Sequence, residues 1–241
     1  MTQRFLDDPP MPDVAAQWRH YFSVLGCEPG HRVLDVGCDR GDADHLLLEL
    51  APGIGGVVGL DRSTKRIAEA FALLRRRGAP ARVTFVTGDG ARLPFHDASF
   101  QRVFSADTLE WIPSPLRAIA ELKRVLAPGG QALLVHTDFE MQAFEGGDPV
   151  LTREITHRFT DSGPDGTIGR RLAILAREAG FQNIETQVYT LVNERYEPGC
   201  YAHRLSELMV SWLRQKKLMP ARTLQGWRES LAAAAAEGRF W

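Results

Sequence analysis

The sequence predicts an α/β fold built on a mostly parallel sheet. Three observations carry that reading. Short apolar runs alternate with stretches of helical period, the order that builds parallel sheets covered on both faces. The first run, Val33-Leu34-Asp35-Val36, opens into a glycine turn, Gly37-Cys38-Asp39-Arg40-Gly41. Acids close the next two runs, Asp61 after residues 56–60 and Asp89 after residues 83–86. Ligands of open α/β sheets lie beyond the carboxyl ends of the strands, so Asp35, Asp61 and Asp89 should share one edge. The architecture expected is a doubly wound, Rossmann-like sheet with helices on both faces and a helical lid.

The elements follow in order. Residues 1–10 hold acids and prolines and read as a surface arm. Residues 13–26 read as a helix, because Val14, Trp18, Tyr21, Phe22 and Leu25 fall on one face. Glu28-Pro29-Gly30 turns into the first strand. Ser63 caps a helix that runs to Arg77, where three arginines favour its C-terminus. Ser114 and Pro115 supply a cap and a first-turn proline for the helix before residue 126. Residues 131–137 read as the fifth strand and 167–179 as a helix ended by Gly180. Residues 183–192 read as a sixth strand. Residues 139–166 read as a long polar connection containing two glycine-rich turns. Residues 196–237 read as helical, with a stripe of Leu205, Leu208, Met209, Trp212 and Leu213. The expected division is an arm and lid helix over 1–30, a ligand-binding α/β domain over 31–195, and a helical lid over 196–241. No seventh strand is expected within residues 196–241.

Composition narrows the function classes. The chain has 241 residues, is 44% hydrophobic and 24% charged, and carries a formal net charge of −1. That balance gives no electrostatic reason to expect a nucleic-acid partner. No apolar run approaches the roughly 20 residues of a membrane span. The first residues are too polar for a secretory signal. Three cysteines without metal spacing suit a reducing compartment, so a cytoplasmic location is expected.

The glycine turn discriminates between ligands. Glycine turns after a first strand commonly cradle phosphates. Here Asp35, Asp39, Asp42 and Asp44 crowd the turn with negative charge. Such a loop suits a cationic ligand without phosphate, and S-adenosylmethionine carries an ammonium and a sulfonium. Asp61 stands about 20 residues past the turn, where a carboxylate accepts both ribose hydroxyls. An acid at Asp89 can accept from the adenine amino group.

This pattern resembles the class I S-adenosylmethionine-dependent methyltransferases. The resemblance extends through Gly88-Asp89-Gly90-Ala91-Arg92-Leu93-Pro94-Phe95 and Leu122-Lys123-Arg124-Val125-Leu126-Ala127-Pro128-Gly129-Gly130. It is close over about residues 30–140. The stretch 109–115 is similar to the quinone and sterol C-methyltransferase-like branch. Two positions depart from the family: Asp39 replaces a usual glycine, and Gln101 a usual aspartate. Aspartate tolerates a left-handed backbone, so the turn should survive. Gln101 reads as structural.

The resemblance implies a cofactor, S-adenosylmethionine. It would be held by Asp35, Gly37, Cys38, Gly41, Asp61, Arg62, Asp89, Gly90, Ala91, Ser105 and Ala106. It implies methyl transfer to a small, apolar or aromatic organic acceptor. Positioning and water exclusion supply most of such catalysis, so no universal base is required. The candidates for a base are His136 and Asp138, which strand alternation would aim the same way. Trp18, Tyr21, Met209 and Trp212 are expected to line the acceptor site. Asp107 and Asp138 offer oxygen ligands to a cation, but Phe139 stands where related metal-dependent enzymes place a third, so no metal is expected. The signature motifs of nucleic-acid methylation are not found. Two other readings stay open: a different reaction of S-adenosylmethionine, such as a cyclase, and a non-catalytic binding subunit.

Overall fold

The structure, a computed structural model, describes residues 11–78 and 82–240. The expected surface arm lies outside the described residues. The chain divides into two compact units.

The first unit contains Ala15–Thr137 and Ile168–Gln187. Its sheet has five strands, β1 (Arg32–Val36), β2 (Gly56–Asp61), β3 (Val83–Thr87), β4 (Phe100–Ala106) and β5 (Leu126–Val135). Their order is β3-β2-β1-β4-β5, and every pairing is parallel. The order reverses between β1 and β4, which opens a crevice at the carboxyl edge of β1. Parallel strands need crossovers, here α2 (Asp42–Leu50), α3 (Thr64–Arg77) and α4 (Pro115–Val125), with α6 (Leu172–Glu178) after β5.

Strand alternation sends neighbouring residues to opposite faces. Trp18 and Phe22 of α1 (Pro12–Leu25) meet Phe104 on one face, with ring centroids 6.0 and 5.5 Å away. Leu34, Val36 and Val103 pack with Leu122 and Val125 of α4 on the other. Ser63 caps α3 as expected, its Oγ accepting from the Arg66 N–H at 3.3 Å. Gln101 is structural: its Oε1 accepts from the Arg32 N–H at 2.9 Å and ties the starts of β4 and β1 together.

The second unit contains residues 11–14, Asp138–Thr167 and residues 188–240. Residues 139–166 are not the plain connection expected. They hold a 3-10 turn, Phe139–Met141, and α5 (Pro149–Asp161). The reason is legible in retrospect: Asp148 Oδ1 accepts from the Val150 and Leu151 N–H groups, and Pro149 occupies the first turn. Thr152, Ile155, Thr156 and Phe159 then form a buried stripe. Residues 196–237 form two helices, α7 (Tyr201–Gln215) and α8 (Ala221–Ala236), parted at Pro220. Trp227 is fully buried, and its indole N–H donates to Thr152 Oγ1 at 3.0 Å.

Residues 183–192 do not pair as a sixth strand. An alternating strand gains from pairing when its apolar side is covered, and Val188 stands 90% exposed.

Candidate functional site

The carboxyl edge of β1 and β2 is shaped by one turn. Gly37 has φ +90°, and an added Cβ would lie 1.9 Å from Thr108 Oγ1. A side chain there is excluded by space and by backbone alike. Asp39 adopts φ +50°, the left-handed conformation expected where the family has glycine. The Gly37 and Cys38 N–H groups both donate to the Leu60 carbonyl, at 2.7 and 3.0 Å. Asp61 completes the turn. Its Oδ2 accepts from the Asp39 N–H at 3.0 Å and its Oδ1 from the Ser63 N–H at 2.8 Å. One carboxylate thus braces the glycine turn and the start of α3. The Ser105 hydroxyl donates to the Val36 carbonyl at 2.8 Å, locking β4 to β1 below the turn. Asp89 Oδ1 accepts from the Ala91 N–H at 2.9 Å, which orders the Asp89-Gly90-Ala91 corner.

The left-handed Asp39 yields a direct test. Asp39→Gly should keep both melting temperature and cofactor affinity. Asp39→Val should lower the melting temperature, since a β-branched residue resists this conformation at a cost of roughly 1–3 kcal/mol. Equal melting temperatures for the two variants would contradict this account of the turn.

Charge is concentrated here. Asp35 is buried, and its carboxyl is raised well above the usual carboxylate range, first by burial and then by Asp44, Asp61 and Asp39. Asp44 is wholly buried with neither oxygen hydrogen-bonded by a side chain among the described residues. Burial, helped by the Asp42 charge, pushes it up to about 8. Two arginines offset part of this: Arg66 Nε lies 2.9 Å from Asp39 Oδ1, and Arg40 Nε 2.6 Å from Asp42 Oδ2. The edge still presents an excess of acid, suited to a cationic ligand and hostile to a phosphate.

The turn and the strand ends bring Asp35, Gly37, Cys38, Gly41, Asp61 and Ser105 onto one edge, with Ala106 ending β4. Arg62 is exposed beside Asp61. β5 ends at Val135, so strand alternation does not set the directions of His136 and Asp138. The His136 imidazole is buried and faces Glu110, with Nδ1 3.8 Å from Oε2. Asp138 caps the turn Phe139–Met141, accepting from the Glu140 N–H at 3.2 Å. Trp18 is buried against Phe22 and Phe104, and Met209 is fully buried, so packing accounts for both. Tyr21 and Trp212 keep partial exposure, and the Trp212 indole N–H donates to Ser162 Oγ at 2.7 Å. Sequence reasoning missed Arg66, Thr108 and Glu110. Their roles come from packing between distant segments, and no local pattern announces them.

Comparison with known proteins follows the same edge. Residues 34–134 match the family described as "Methyltransferase domain". The chloroplastic 2-phytyl-1,4-beta-naphthoquinone methyltransferase of Arabidopsis thaliana is 35% identical over 115 residues, 47% of this chain and 44% of the relative. A sterol 24-C-methyltransferase of Gibberella zeae is 32% identical over 116 residues, 48% of this chain and 30% of the relative. The chain spans about half the length, or less, of the curated relatives it matches. Among solved structures, the cyclase SpnF superposes with a TM-score of 0.64 at 20% identity, covering 94% of this chain and 78% of that one, a likeness of fold.

Proposed function

We propose, on the premise that residues 34–134 make this chain a member of the class I S-adenosylmethionine-dependent methyltransferases, that it moves a methyl group from S-adenosylmethionine to a small organic acceptor. The observation that carries the reading is the acid-rich glycine turn, where Asp35 is raised by burial and then by Asp44, Asp61 and Asp39. A ligand bearing an ammonium and a sulfonium relieves that repulsion. Gly37 and Gly41 let the backbone approach its methionine half. Asp61 accepts the ribose hydroxyls, and Asp89, with Gly90 and Ala91, receives the adenine.

The chemistry asks little of side chains. The sulfonium is already an activated leaving group, so the protein aligns an acceptor atom behind the methyl and keeps water out. The quinone and sterol relatives support an apolar or aromatic acceptor. Tyr21 and Trp212 are the residues proposed to contact it. A base, if the acceptor needs one, is Asp138 or His136. Among the described residues no helix is long and apolar enough to cross a membrane, and Cys27, Cys38 and Cys200 are unpaired. Both agree with work in the cytoplasm on a diffusible acceptor.

Two measurements test the function. Titration calorimetry should show S-adenosylmethionine binding at one site per chain. Tritium from labelled methyl should then pass to a component of a metabolite extract. Binding without transfer points to another use of the cofactor, and the absence of binding overturns the proposal. Trp212 has its own test. Trp212→Ala should weaken acceptor binding, leave cofactor binding nearly intact and cost about 1 kcal/mol of stability for the lost hydrogen bond to Ser162. A loss of roughly 3–5 kcal/mol with unchanged acceptor affinity would mark Trp212 as packing only.

A further inference from the structure

Asp107, Glu110 and His136 come together at the ends of β4 and β5, and each offers one donor atom. The three atoms lie within 4.8 Å of one another. Asp107 follows the last residue of β4, and His136 the last of β5. Glu110 comes from the 3-10 turn Leu109–Trp111 between β4 and α4. Two segments of the chain, after β4 and after β5, therefore converge. We propose that they bind a divalent first-row transition cation that clamps these strand ends together.

Glu110 carries the argument. It is 3% exposed, and neither of its carboxylate oxygens has a hydrogen-bond partner among the described residues. A carboxylate taken from water without hydrogen bonds is strongly destabilising, so such groups are paired or bound to metal. The group facing it is the His136 imidazole, at 3.8 Å. That separation is too long for a hydrogen bond. It fits two donors sharing one ion, which at bonds of about 2.1 Å stand about 3–4 Å apart.

Asp107 is already held as a metal-binding carboxylate needs to be. Its Oδ1 accepts from the Thr137 N–H at 2.6 Å and its Oδ2 from the Thr137 hydroxyl at 3.0 Å. Those bonds set the orientation of the carboxylate, as outer partners of metal ligands do. The donor set is two carboxylate oxygens and an imidazole nitrogen. Imidazole suits zinc, iron or nickel better than magnesium or calcium, and the two carboxylates also admit manganese. The site is also closed. The His136 imidazole is 1% exposed, and a Cβ on Gly169 would lie 2.8 Å from its Cδ2. A closed site points to a structural ion. This set differs from the Asp107 and Asp138 pair considered from the sequence, since Asp138 caps a turn instead.

The full chain, stripped with a chelator and returned to buffer, is titrated with Co²⁺ and with Mn²⁺. One ion per chain is expected, with a rise in melting temperature and, for Co²⁺, visible bands of protein coordination. Glu110→Gln and His136→Gln should each weaken binding by at least about tenfold. Glu110→Gln should also melt no lower than the stripped wild type, because it removes a buried carboxyl group whose oxygens accept no hydrogen bond among the described residues, without changing shape. That variant remains readable if His136→Gln fails to fold. Neither readout depends on methyl transfer, so failure here is distinct from failure of the proposed function. No binding by the wild type, or equal binding by Glu110→Gln, would overturn the proposal.

Discussion

Asp61→Ala should weaken S-adenosylmethionine binding at least tenfold, and by more than any other single change at the cofactor edge. Each charge-assisted bond to a ribose hydroxyl contributes roughly 1.5–3 kcal/mol, and two are at stake. The structure adds a second loss. The same carboxylate accepts the Asp39 and Ser63 N–H groups, so its removal frees the turn that should face the methionine half. Asp61→Asn separates the two contributions. The amide oxygen can still accept one backbone N–H, while its NH₂ group faces the other donor. Asn should therefore lie between wild type and Ala in melting temperature and still bind the cofactor poorly. Calorimetry on each folded variant measures the affinity. Unchanged affinity in folded Asp61→Ala would remove the central claim about this edge.

The sheet and its edge were legible in the chain because their determinants are local. Val33-Leu34-Asp35-Val36 announces a buried strand, and Gly37 and Gly41 announce the turn, with only neighbouring residues consulted. The left-handed Asp39 was legible for the same reason: a turn of this shape needs that backbone wherever it occurs. Residues 149–161 failed differently. Their stripe includes Thr156 and Thr160, whose hydroxyls donate to the Thr152 and Thr156 carbonyls one turn back, so polar residues stand where apolar ones signal a helix. Residues 183–192 have the alternation of a strand, but pairing depends on what covers them, and no local pattern encodes a cover. The Asp107, Glu110 and His136 cluster lies beyond sequence reading altogether. Its members sit up to 29 positions apart in number (136 − 107), and only the side-by-side packing of β4 and β5 makes them neighbours.

Asp44→Asn should stabilise the ligand-free protein at neutral pH and flatten its dependence on pH. Asp44 is wholly buried, and burial together with the Asp42 charge pushes its carboxyl up to about 8. In the unfolded chain it titrates near 3.9. The folded state thus holds a proton that the unfolded state has lost over the window from about 4 to about 8. Stability should fall as pH rises through that window, with a limiting slope of about 1.4 kcal/mol per pH unit from this group. The favourable contribution is complete below about 4 and gone above about 8. Asparagine keeps the shape and never ionises, so the variant should gain most over wild type near pH 8 and little near pH 5. Asp35, raised by burial and by Asp44 itself, should titrate more easily once its neighbour is neutral. Bound S-adenosylmethionine should oppose the wild-type decline, because its positive charge favours the ionised acids. Melting curves of both proteins from pH 5 to 8, with and without cofactor, measure these differences. Parallel curves for the two proteins would show that Asp44 is ionised in the folded state, and that the acids at this edge are held apart by the protein rather than by a proton.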